Sequence, residues 1–179
     1  MNDLPTKYNR AQVALHGISA LLIVFMLFMG FFVLSQTPNT DPTKAFGLKG
    51  HMIMGISVLV ITVVRILWRH LSIQPPHAST GNAMLDKSGV LAHYALNILA
   101  ILVALSGIGI AIQTGLPDIV FSGQGTLPED FSAYPPRIAH GILTLALGGL
   151  IIVHILGGVY HQFILKDGLL RRMSPHKSK

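Results

Sequence analysis

Residues 138–165 read IAHGILTLALGGLIIVHILGGVYHQFIL, an apolar run that contains no Asp, Glu, Lys or Arg. A hydrocarbon layer is crossed by roughly 20 apolar residues rising about 1.5 Å each, so this stretch is long enough to span a membrane as a helix. Inside it stand His140 and His154, 14 positions apart. At about 3.6 residues per turn that spacing is close to four whole turns, which puts both rings on one face, about 21 Å apart along the axis.

Three further runs share this character: 11–34, 51–68 and 89–112. Only the second carries a charge, Arg65, near its end. The chain is 51% hydrophobic and 11% charged, far more apolar than a soluble domain, and none of the four runs has the polar face that a soluble bundle turns to water. The expectation is an all-α integral membrane protein, a bundle of four transmembrane helices over a single domain, 1–179. The first run follows Lys7 and Arg10 as a secretory signal would, but it is too long, lacks a small-x-small cleavage site and contains His16, so it is read as a retained helix.

Charge placement orients the bundle. Of the 13 Lys and Arg residues, most fall in the N-terminal tail (Lys7, Arg10), around the second loop (Arg65, Arg69, Lys87) and in the C-terminal tail (Lys166, Arg171, Arg172, Lys177, Lys179). The first and third loops hold only Lys44, Lys49 and Arg137, so both termini and the second loop are expected in the cytoplasm. The excess of +6 then faces anionic lipid headgroups, and no nucleic-acid partner is needed to explain it. The chain has no cysteine, which excludes disulfides, iron–sulfur clusters, thiolate zinc sites and covalent attachment of c-type haem.

Six of the nine histidines lie in or at the ends of the apolar runs: His16, His51, His93, His140, His154 and His161. His70, His77 and His176 lie in loops or the tail and attract no functional reading. Ionisable groups in hydrocarbon are costly and mark function by default. The fourth run enters from outside, so His140 is near the outer face and matches His51 in depth; His154 lies deeper and matches His16. Four neutral imidazoles in two opposed pairs are the ligand set of two non-covalent b-type haems. Interhelical hydrogen bonding is the competing use of such histidines, and zinc lacks a carboxylate or thiolate within the helices to complete its shell.

Around these pairs several residues carry two readings each. Arg65 lies 14 positions after His51 and pairs with a haem propionate or snorkels to the interface. Lys49 and Arg137 flank the outer pair and hold propionates, steer an anionic substrate, or are boundary charges. His161, seven positions after His154, hydrogen-bonds a quinone carbonyl or is a solvated interfacial imidazole. His93 is expected to be a pocket or packing residue rather than a ligand. Gly141, Gly148, Gly149, Gly157 and Gly158 admit a macrocycle or close helix packing.

The stretches KYNRAQVALHGISALL (7–22), GHMIMGISVLVITVVRILWR (50–69) and AHGILTLALGGLIIVHILGGVYHQFILKDGLLRRM (139–173) together resemble the bacterial cytochrome b561 family over nearly the whole chain. That family is a branch of the di-haem cytochromes that also supply the membrane subunits of nickel–iron hydrogenases and formate dehydrogenases. The resemblance implies two b-type haems ligated by His16 with His154 and His51 with His140, the pairs that depth alone suggests. A short stand-alone chain looks most like the branch described as superoxide oxidase, which implies superoxide as donor outside the bacterial inner membrane and ubiquinone as acceptor near His161. An electron-transfer subunit docked on a dehydrogenase or hydrogenase is the alternative, and a redox partner protein or a second copy stays open. Where family members often have Trp before the first ligand of the last helix, this chain has Ala139.

Overall fold

The computed structural model describes residues 5–173; His176, Lys177 and Lys179, named above for their charge or as a tail histidine, lie outside the described residues. Four helices in it are long and apolar enough to cross a membrane: Arg10–Leu34, Pro42–Leu71, Ala83–Thr114 and Pro135–Leu165. No strand occurs among the described residues.

Helix α1 (Arg10–Phe28) begins at Asn9, whose side chain accepts from the Gln12 amide at 2.9 Å while Gln12 reaches back to the Asn9 amide. This reciprocal cap satisfies two backbone donors that would otherwise be orphaned. A wider π-helical turn, Met29–Leu34, finishes the span. Helix α2 (Pro42–Leu71) starts much earlier than hydrophobicity predicts, and residues 42–50, expected as loop, are its first two turns. The physical reason is local: Asp41 accepts from the Thr43 amide at 2.8 Å, and Pro42, which has no amide hydrogen to lose, occupies the first helical position.

Helix α3 (Ala83–Thr114) is capped by Asn82, which accepts from the amides of Met84 and Leu85, and it stops at Gly115, whose φ of 64° a side chain would resist. The third loop holds an element the sequence reading omits, the short helix α4 (Leu116–Ser122), bounded by left-handed Gly115 and Gly123. Helix α5 (Pro135–Val159) opens on its two prolines and continues as a second π-turn, Tyr160–Leu165.

Close backbone packing joins α1 to α2, α2 to α3 and, most extensively, α3 to α5. Ser19 and Thr62 are fully buried, and such small side chains let α1 and α2 approach. The main apolar core sits at the end of the bundle that holds His51, the outer end in the orientation expected from charge, where Ile110, Ala111, Leu116 and Val120 pack with Ala45, Leu48 and Met52. Elsewhere the large apolar side chains of all four spans lie exposed on the outside, as lipid requires. Neither α1 nor α2 packs closely against α5 among the described residues, and imidazoles occupy the space between them.

Candidate haem sites

Two pairs of rings face each other across that space. His16 of α1 and His154 of α5 have centroids 6.3 Å apart with planes at 69°; His51 of α2 and His140 of α5 have centroids 6.3 Å apart with planes at 70°. Both α5 histidines lie in its uninterrupted α-helical part, so the two levels are separated by about 21 Å along that axis. No hydrogen bond joins the two rings of either pair; of the four rings, His140 alone bonds to a neighbouring helix among the described residues, through Nδ1 to α3. Two imidazoles trans on one metal ion stand about 6.2–6.4 Å apart between centroids, from a metal–nitrogen bond of about 2.0–2.1 Å and about 1.1 Å from nitrogen to ring centre. The observed separations fit a shared iron.

The surroundings of His140 fix its chemistry. Its Nδ1 lies 3.0 Å from the Val103 carbonyl oxygen and 3.0 Å from Ser106 Oγ, while the Ser106 hydroxyl donates to that same carbonyl at 2.7 Å. A carbonyl can only accept, so the neutral ring carries its proton on Nδ1 and leaves the Nε2 lone pair free for a metal. Gly107 of α3 lies against His140 and Gly30, in the π-turn after α1, against His51; a Cβ on either would meet the ring at an ordinary van der Waals distance, 3.5 and 3.8 Å. The His51 Nδ1 is buried and has no hydrogen-bond partner.

At the inner level a third ring joins the pair. His93 of α3 stands with its centroid 5.0 Å from that of His154, edge to face at 82°. Arg65 of α2 donates from Nη1 to Ser19 Oγ of α1 at 2.8 Å and from Nη2 to Asn97 Oδ1 of α3, thereby linking three helices. Its positive charge has no carboxylate partner among the described residues, where the one side-chain ion pair is His161–Asp167. A guanidinium has five N–H donors, so several remain for an anion such as a propionate.

The remaining expected residues lie at the two rims. Lys49 sits in α2 with its ammonium 5.2 Å from the centre of the Phe121 ring of α4, and Arg137 lies along its own helix, its Nη1 3.2 Å from where a Cβ on Gly141 would be. At the inner rim His161 falls in the π-turn, and its Nδ1 contacts Asp167 Oδ2 at 2.5 Å. Partial burial alone would raise the Asp167 carboxyl, but hydrogen bonds from His161 and the Leu169 amide outweigh it and hold that group below the ordinary carboxylate range. Beside it a cleft of about 380 Å³ is lined by Gln162, Phe163, Lys166, Asp167, Gly168 and Arg171, with the buried Gln162 Oε1 unpartnered.

Sequence reading passed over Ser19, Asn97, Ser106 and Lys44. Asn97 and Ser106 had a signal, being polar residues inside an apolar run. Lys44 had none, because the loop reading placed it in water. In fact it is buried, and its ammonium donates to the carbonyl oxygens of Leu34 and Thr37.

A four-helix membrane bundle with opposed imidazoles at two depths defines a class, the membrane b-type cytochromes. The pattern of the prokaryotic cytochrome b561 family matches residues 7–176, and the chain belongs to that family. It is therefore a multi-pass protein of the bacterial inner membrane that transfers electrons on haem b. Its relatives include cytochrome b561 homolog 2 of Escherichia coli (strain K12), 27% identical over 96% of this chain and 93% of the relative. Cytochrome b562 of Cereibacter sphaeroides is 30% identical over 93% of this chain and 94% of its own. A probable superoxide oxidase CybB of Yersinia pestis is 26% identical over 96% and 97%, respectively.

Proposed function

We propose that this chain is a superoxide:ubiquinone oxidoreductase holding two b-type haems, one between His51 and His140 and one between His16 and His154. The observation that carries the reading is the pair of 6.3 Å imidazole separations at two levels of one helix. When bound, each haem supplies a one-electron carrier. Both termini and the second loop face the cytoplasm in this reading, on the charge distribution given above, and the whole chain acts as one transmembrane unit. Two superoxide anions each give up one electron and leave as dioxygen; ubiquinone gains those two electrons with two protons and becomes ubiquinol.

The residues divide this work by position. Lys49 and Arg137 make the outer rim electropositive, which raises the encounter rate of an anion at low ionic strength. Arg65 offsets the charge of a propionate at the inner level. In its imidazolium form His161 donates from Nδ1 to Asp167 and from Nε2 to a quinone carbonyl, and the cleft lined by Gln162 and Lys166 lies next to it. A relative named as a probable superoxide oxidase supports the choice of donor.

The test is purified protein given a superoxide source with and without ubiquinone. Superoxide should reduce the haem, and added ubiquinone should reoxidise it and accumulate as ubiquinol. Absence of haem reduction by superoxide, with reduction only through a co-purified dehydrogenase, would replace this reading by that of an electron-transfer subunit.

A further inference from the structure

We infer that Ser106 and the Val103 carbonyl of α3 lower the electron affinity of the outer haem relative to the inner one, so that electrons run inward. This rests on the two-haem reading above. Helix α3 carries no ligand in that reading, yet it touches an α5 ligand at both levels, and differently. At the outer level it offers two oxygen acceptors within 3.0 Å of His140 Nδ1. At the inner level it offers the edge of the His93 ring to His154, and no hydrogen bond is formed.

The difference has a chemical consequence. An imidazole that donates from Nδ1 gains negative charge on the ring, and its opposite nitrogen becomes the more basic ligand. A more basic axial ligand favours the more positive, oxidised iron. Among the described residues, His140 is the one member of the four whose ring nitrogen has a protein hydrogen-bond partner; the buried His51 Nδ1 opposite it has none. The inner level is biased the other way. Arg65 is bonded to Ser19, whose hydroxyl in turn donates to the His16 carbonyl at 3.0 Å, so a guanidinium that no carboxylate of the described residues neutralises sits within about a helical turn of the inner pair; beyond what a propionate there offsets, its charge favours the reduced state. Both effects make the inner site the better acceptor. Ser106 acts through His140 and is a positioning residue.

Its hydroxyl also satisfies itself on the carbonyl three residues back, which is a common local bond and would by itself affect only stability. Midpoint potentials separate the two roles. Detergent-purified holoprotein is titrated anaerobically and followed by haem absorbance, for wild type, Ser106→Ala and Ser106→Thr. In Ser106→Ala one of two midpoints should rise by a three- to tenfold change in the reduction equilibrium, about 30–59 mV at about 59 mV per tenfold for one electron, with haem content unchanged. Ser106→Thr, which keeps the hydroxyl, should restore the wild-type value. In a His16→Ala background, which leaves the His51–His140 pair intact, the remaining haem should show the same rise. Two haems per chain with midpoints that Ser106→Ala leaves in place, or a fall instead of a rise, would overturn the inference while sparing the two-haem reading. A wild-type chain without two haems would overturn both.

Discussion

In the proposed reading His140 does two things at once, holding an iron through one nitrogen and a fixed tautomer through the other. The Val103 carbonyl settles the tautomer, and α5 settles the depth. His140→Ala is therefore expected to lose the outer haem and keep the inner one, read as a fall in the haem-to-protein ratio from about two to about one with folding retained. Loss of both haems, or of neither, would break the pairing. Arg65 illustrates the other side of residue-scale reasoning. Its position in an apolar run announced that it needed a partner, and the partners proved to be Ser19 and Asn97 on two neighbouring helices. Nothing in the spacing of a single sequence joins positions 19, 65 and 97, because they meet only when three helices have packed.

At the scale of the element, periodicity located the spans and capping chemistry set their ends. Hydropathy placed the second helix from 51, yet Asp41 and Pro42 start it at 42. This shift carries Lys44 into the fold, where it covers the Leu34 and Thr37 carbonyls at the end of the first span. The last carbonyls of a helix lack intrahelical partners, and a lysine ammonium is well suited to them. Lys44→Met preserves the stem and removes the donor. It is expected to destabilise the protein by about 1–3 kcal/mol, the cost of leaving buried acceptors unmade, measured by thermal unfolding in detergent. An unchanged melting temperature would show that water replaces the ammonium without loss. The short helix α4 had no periodic signal to announce it, since seven residues are too few, and only its flanking glycines and Pro117 marked it.

Across the whole molecule, the inner rim is closed by contacts between segments distant in sequence. The Tyr8 amide donates to the Arg172 carbonyl at 3.0 Å, and Arg172 Nη1 donates to the Pro76 carbonyl at 2.8 Å. The turn that delivers Arg172 to both is held by Asp167, which receives His161 and the Leu169 amide, with Lys166 beside it at a φ of 53°. Because the Asp167 carboxyl is held below its unfolded value of about 3.9, its contribution is fully present above that pH and disappears as pH falls through the lower folded value. Hydrogen exchange at residues 166–173, corrected for intrinsic rates, should show protection that is steady above the ordinary carboxylate range and lost on acidification below it. In Asp167→Asn the protection should be weak and insensitive to pH over that range; a wild-type response in the variant would assign the acid step to another group.

What the sequence alone determined was the set of short-range facts: four apolar runs, their class as membrane helices, and a pair of histidines whose spacing on one helix is dictated by the pitch of that helix. Depth followed as well, because each span runs from one face of the bilayer to the other and position along it is distance into the membrane. Only the tertiary structure decided which faces turn toward one another, and with that the third ring beside His154, the bridge at Arg65 and the Ser106 contact at His140. Rotation of a helix about its axis leaves its length and hydropathy unchanged when lipid surrounds it, so the apolar pattern holds no record of it; packing against neighbours sets it.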